Sequence, residues 1–189
     1  MHPGYLSAHV LPFLWLIFLV VWAVSALRVK RTRLRETKLG TIFQIVFGIL
    51  VSLIFTLRLG SLNERFLPPN PVMEMVGIAL AAIGIGIAIW ARYYLGRNWS
   101  ANVVIKQDHE LIRRGPYARL RHPIYSGVLL GLLGTVIALD KWRYLLGFVL
   151  LAAYFWTKAS REEALLSREF GPAWEEHKKH SGFLLPKIG

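Results

Sequence analysis

The residues able to do chemistry in this chain fall in two short stretches far apart in sequence. One is Gly115-Pro116-Tyr117-Ala118-Arg119-Leu120-Arg121-His122-Pro123-Ile124-Tyr125-Ser126-Gly127, which gathers Arg, His and two Tyr just ahead of an apolar run. The other is Lys158 followed by Arg161-Glu162-Glu163, just past the last apolar run. Cations and rings on one stretch and carboxylates on the other suit a zwitterionic ligand that carries an aromatic ring. Proline fits the first turn of a helix, and the residue before it is pushed out of the helical region. His122 is therefore predicted at a helix start, with Tyr125 one turn in. Unpaired N–H groups and the helix dipole make such a place hospitable to an anion. The same stretch also fits a juxtamembrane basic anchor with interfacial aromatics. Glu162, one turn after Lys158, also fits a solvated helix charge with an i,i+4 partner.

Other chemistries are poorly served. The chain has no cysteine, so it has no disulfide, thiol nucleophile or thiolate metal site. His109, His122, His177 and His180 form no compact ligand motif, and no metal is expected. No serine sits in a nucleophile elbow. Gly84-Ile85-Gly86 lacks a preceding strand and a third glycine, so it is no nucleotide fingerprint.

The elements that must position these residues are membrane-like. Of 189 residues, 54% are hydrophobic, and they come in long blocks. The net charge of +12 sits between those blocks, where the positive-inside rule expects it, so nucleic acid is not the expected partner. The predicted fold is all-α, a polytopic bundle with five spans in a single domain, residues 1–189. The spans are Leu6–Leu27, Gly40–Leu57, Val72–Leu95, Ile124–Leu139 and Trp142–Thr157. Three of them occupy residues 1–95, and 96–189 is the expected cofactor-binding half. Gly77, Gly84 and Gly86 on the third span, and Gly127, Gly131 and Gly134 on the fourth, are predicted close-packing positions. Gly60 to Pro71 reads as a loop, and Asp140-Lys141 as a tight turn. Lys158 to His180 reads as a charged helix outside the bilayer, broken at Gly171-Pro172. Six Lys/Arg in Arg28–Lys38, seven in Arg92–Arg121 and six from Lys158 onward put those segments in the cytoplasm and the N-terminus outside. Both chemical stretches then share the cytoplasmic side.

His109-Glu110-Leu111-Ile112, Gly115-Pro116-Tyr117, Arg121-His122-Pro123-Ile124-Tyr125-Ser126-Gly127, Glu162-Glu163 and Phe170-Gly171, in that order, resemble the isoprenylcysteine carboxyl methyltransferase family, whose relatives include phospholipid methyltransferases. The resemblance runs from near Leu95 to Pro186. It implies S-adenosylmethionine as methyl donor, bound in a cytoplasmic pocket without a Rossmann fold. It places His109, Glu110, Leu111, Ile112, Tyr117, His122, Pro123, Ile124 and Tyr125 against the cofactor, and Glu162 on its ammonium. Lys158 stands where the family typically has an arginine for the substrate carboxylate, and Arg161 is the candidate substitute. Trp174 and His177 stand where tyrosines are common. The implied acceptor is lipophilic, with a prenylated carboxylate first and a phospholipid or other amine second. Without the resemblance, a non-enzymatic protein whose basic loops bind anionic lipid also fits.

Overall fold

The structure, a computed structural model, describes residues 5–27, 38–58, 60–99 and 110–187. The basic connection at 28–37 and His109 lie outside the described residues. The fold is all-α. Among the described residues six helices run as α1 (Tyr5–Ala26), α2 (Lys38–Thr56), α3 (Pro71–Leu95), α4 (Pro123–Leu139), α5 (Trp142–Phe170) and α6 (Pro172–His180), with short 3-10 turns between some of them. Leu6–Ala26 and Pro71–Asn98 are long and apolar enough to cross a membrane, while Gly40–Thr56 and Pro123–Leu139 are shorter apolar helices. Phe13, Leu16 and Leu19 of α1 and Ile42, Phe43 and Ile45 of α2 stay exposed. A surface that apolar is at home against lipid and costly against water.

The centre of the bundle is the seam between α3 and α4. Gly77, Ala81, Gly84 and Ala88 line one helix, and Gly127, Gly131, Gly134 and Ala138 line the other. A Cβ built on Gly77 would lie 2.6 Å from the Gly134 carbonyl oxygen, and one on Gly127 would lie 2.6 Å from that of Gly84. No side chain fits there, so the two backbones touch, which is how apolar helices associate where water gives no hydrophobic push. Gly86 differs from its predicted role: a Cβ there meets nothing within 4 Å. It lies two residues past Gly84, which turns it to the opposite side of the helix from the seam.

Local chemistry sets the helix ends. Asn70 caps α3 by accepting from the Val72 amide at 2.9 Å, with Pro71 at the first helical position. Asp140 adopts the left-handed conformation at φ 40° and closes α4, so α5 begins two residues later. The connection before α3, expected to be a loop, holds a 3-10 turn over Gly60–Asn63. A second difference concerns α5. The last apolar run and the charged segment from Lys158 are one continuous helix of 29 residues. No proline or glycine lies between Phe148 and Phe170, so nothing ends the helix where the composition changes. The break falls where it was expected, at Gly171 (φ 50°), with Pro172 opening α6. After α6 the chain doubles back: Gly182 pairs with Leu120 in an isolated parallel bridge.

Candidate active site

Three segments converge at the start of α4. The first is the 3-10 turn Gly115–Ala118, whose Gly115 has φ +60° and presses on Tyr94: a Cβ there would lie 2.7 Å from the ring. Only glycine tolerates both conditions. The turn delivers Tyr117 into a buried apolar cluster with Ala91 and Ile124, against which Ile112 and Tyr125 pack. Leu111 is half-buried and Glu110 exposed on the approach to it.

The second segment is the helix start itself. His122 sits at the N-cap without a side-chain capping bond, and Pro123 at the first helical position. Both are buried. His122 and Tyr125 stack nearly parallel at 5.6 Å, and Tyr125 stacks in turn on Phe155 of α5 at 4.9 Å.

The third segment is the polar half of α5. Glu162 accepts a hydrogen bond from the Tyr125 hydroxyl at 2.6 Å, and its other oxygen lies 3.5 Å from His122 Nδ1. Glu163 Oε1 lies 3.4 Å from His122 Nε2 and accepts from Arg121 Nε at 2.5 Å. The separation of 3.4 Å is within ion-pair reach, yet Nε2 makes no hydrogen bond and is fully buried, so the Glu163–His122 attraction is electrostatic. Lys158 Nζ lies 5.5 Å from the centre of the Tyr125 ring and 5.9 Å from that of Tyr154, within the range of a cation–π interaction. Arg161 is exposed.

These contacts move two titrations. Burial pushes His122 toward its neutral form, but the Glu162 and Glu163 carboxylates, 3.5 and 3.4 Å from its two ring nitrogens, outweigh it, and its pKa is raised. Burial likewise favours protonated Glu163, but His122 and Arg121 reverse that and hold its pKa below the ordinary carboxyl value. Both shifts favour the charged forms, so each group supports the other's charge in a setting where either would be expensive alone.

The C-terminal segment closes one side. Its backbone pairs with the stretch before α4: the Arg121 amide donates to the Gly182 carbonyl at 2.9 Å, and that of His122 to Phe183 at 3.3 Å. Ser126 Oγ donates to the Leu184 carbonyl at 2.6 Å, and Arg121 Nη1 to the Ser181 carbonyl. Phe183 packs edge-on against His122 at 5.2 Å and against Trp156 at 4.8 Å. Behind this segment Trp174 and His177 are buried against each other. Burial, with the positive charge of Arg113 and Arg121 nearby, holds the His177 pKa down.

Of the residues singled out in the sequence, Ile112, Tyr117, His122, Pro123, Ile124, Tyr125, Lys158 and Glu162 gather here. Arg161 is exposed and makes no hydrogen bond or ion pair to the cluster among the described residues, Glu110 lies at its margin, and His109 is outside the described residues. Sequence reasoning included Glu163 and Arg121 in the two stretches but gave neither a role of its own. It missed Phe155 and the returning segment at Ser181–Leu184. Phe155 is hidden in a uniformly apolar run, and backbone pairing of Gly182 and Phe183 leaves no mark in side-chain pattern.

Residues 72–173 match the family model described as phospholipid methyltransferase. The chain belongs to this family. Relatives of the phospholipid methyltransferase family member described here include a probable protein-S-isoprenylcysteine O-methyltransferase of Oryza sativa subsp. indica. It is 34% identical over 115 residues, which are 58% of this chain and 60% of the relative. A protein-S-isoprenylcysteine O-methyltransferase of Schizosaccharomyces pombe is 32% identical over 120 residues, 62% of this chain and 51% of the relative. An uncharacterized protein of Bacillus subtilis is 27% identical over 127 residues, 63% of this chain and 75% of the relative. The match thus covers 60% of the length of the Oryza relative. The resemblance drawn from the motifs is borne out at the level of the family. Among the described residues no group of three His, Cys, Asp or Glu could hold a metal ion.

Proposed function

We propose that this protein transfers a methyl group from S-adenosylmethionine to a lipophilic acceptor at the membrane–cytoplasm boundary. The observation that carries the reading is the meeting of Tyr125 with Glu162 across 37 residues of sequence, with His122 beside them. The residues fit the donor. Glu162 offers a carboxylate to its ammonium, and the stacked rings of His122, Tyr125 and Phe155 offer an aromatic floor. The apolar cluster of Ile112, Tyr117 and Ile124 excludes water, with Glu110 and Leu111 at its edge; the family resemblance adds His109. When bound, S-adenosylmethionine supplies an already activated sulfonium methyl. The chain's own task is then alignment and exclusion of water, which together account for much of the rate in such reactions.

The acceptor we propose is a carboxylate, as in an isoprenylcysteine. It is ionised at neutral pH and needs no general base. Lys158, held over the Tyr125 and Tyr154 rings, is placed to attract it, with Arg161 as a second cation on the same helix. Lysine is a point charge and cannot form arginine's bidentate fork, so a looser grip on the carboxylate is expected. The family description favours a second reading, N-methylation of a phospholipid or other amine. In both readings the chain crosses the membrane five times, its N-terminus outside and its site in the cytoplasm. The apolar faces of α1 and α2 and the basic segments around the site support that topology.

The test is binding first, then product. Purified protein should show a thermal shift with S-adenosylmethionine or S-adenosylhomocysteine, and Glu162→Ala should remove most of it. No shift in the native chain sinks the methyltransferase reading. Labelled product that is lost as methanol in mild base marks a carboxyl ester, whereas base-stable label marks an amine.

A further inference from the structure

The end of the molecule opposite this site carries a cavity. It has a volume of about 560 Å³ and lies among α1, the end of α4 and the start of α5. That volume falls within the range of about 300–1,000 Å³ found for small-molecule sites. Leu11, Pro12, Trp15 and Leu139 form apolar walls, and Arg65 and Lys141 bring two cations to it. The length of α4, 17 residues or roughly 25 Å, separates it from His122.

The two cations are held together by backbone. The Phe66 amide donates to the Asp140 carbonyl at 2.9 Å, and the Trp142 amide to the Glu64 carbonyl at 3.3 Å. Arg65 and Lys141 thereby become partners in an isolated antiparallel bridge. Like charges directly across a bridge repel. Arg65 is neutralised by Asp140, whose carboxylate is buried, at 2.5 Å. Lys141 has no ion-pair partner among the described residues. The fold has thus fixed an uncompensated ammonium beside a guanidinium at the mouth of an apolar cavity.

We propose that this cavity binds an anionic phospholipid of the outer leaflet, its phosphodiester between Lys141 and Arg65 and an acyl chain along Leu11, Pro12, Trp15 and Leu139. The charge favours an anion, the walls favour hydrocarbon, and a cavity among apolar helices is open to the bilayer. Trp15 is anchored by donating to Thr135 at 3.1 Å, so the wall is set before any lipid arrives. The proposal does not depend on methyl transfer.

The full chain, reconstituted in phosphatidylcholine nanodiscs with a minor fraction of phosphatidylglycerol, tests this by lipid retention in native mass spectrometry and by melting temperature. Native protein should retain phosphatidylglycerol in preference to phosphatidylcholine and melt higher with it. One lysine near a headgroup contributes about 1 kcal/mol, so Lys141→Gln should cut the preference about fivefold. Ala8→Phe, at the cavity wall, should reduce retention while leaving both cations in place. Far-ultraviolet circular dichroism and elution volume in size-exclusion chromatography, measured alongside, should be the same in all three proteins and show that the variants are folded. Equal retention of the two lipids, or a preference that survives Lys141→Gln, overturns the proposal. So does equal retention of any detergent regardless of headgroup.

Discussion

The α3–α4 seam and the cluster at the start of α4 share a helix but are built on opposite terms. In the seam, side chains have been reduced to hydrogen or methyl so that backbones meet. In the cluster, long side chains from three segments reach across open distance to meet one another. The seam has one way to pack and tolerates nothing larger. The cluster depends on charge and hydrogen bonds, so it can be altered chemically without moving the scaffold. A rigid seam directly beneath an adjustable polar cluster is what precise positioning of reactants requires.

The contrast can be broken most strongly in the seam. Gly84→Leu forces a side chain into the Gly127 and Gly131 backbone and should cost about 3 kcal/mol or more, read as a large loss of melting temperature in detergent. Glu162→Gln acts on the cluster and leaves the seam intact. Melting should fall less than in the seam variant, because only the charge beside His122 is lost, while affinity for S-adenosylhomocysteine falls about 10- to 100-fold, the equivalent of a charged hydrogen bond of about 1.5–3 kcal/mol.

A pH series separates the two regions further. The raised His122 pKa gives stability that is fully present below the ordinary histidine value of 6.5 and is lost as pH rises through the raised value. The lowered Glu163 pKa gives stability fully present above the ordinary carboxyl value of 4.5 and lost as pH falls through the lowered one. Melting temperature against pH should therefore show a plateau between those limits. His122→Asn should flatten the alkaline shoulder, whereas a seam variant should lower the whole curve without changing its shape. The smallest effect is the sharpest control. Gly86→Ala, two residues from Gly84, meets open space and should stabilise by about 0.5–1 kcal/mol through helix propensity.

The seam was almost fully legible in the sequence, because glycine and alanine at helical spacing have few other uses in an apolar helix. Gly86 misled because spacing alone does not show which side of α3 meets α4. The helix start at Pro123 was legible from a rule about proline. The partnership of Tyr125 with Glu162 was a bet on two segments sharing a side, since nothing in either stretch encodes the other. The returning segment at Gly182–Leu184 was illegible because its hydrogen bonds come from backbone. The unbroken α5 was misread because a change in composition, from apolar to charged, was taken for a change in structure. A helix ends where its backbone is interrupted, and from Phe148 to Phe170 nothing interrupts it.

That last feature has a mechanical consequence. α5 is a single stiff rod that begins at Trp142 and carries Lys158, Glu162 and Glu163 in its second half. Hydrogen-bonded turns resist shear, so the lower part cannot lean without swinging the upper part through a larger arc. In the proposed five-span topology, a thinner or thicker bilayer that changes the tilt of α5 would therefore shift those charges against His122, with the helix serving as the lever.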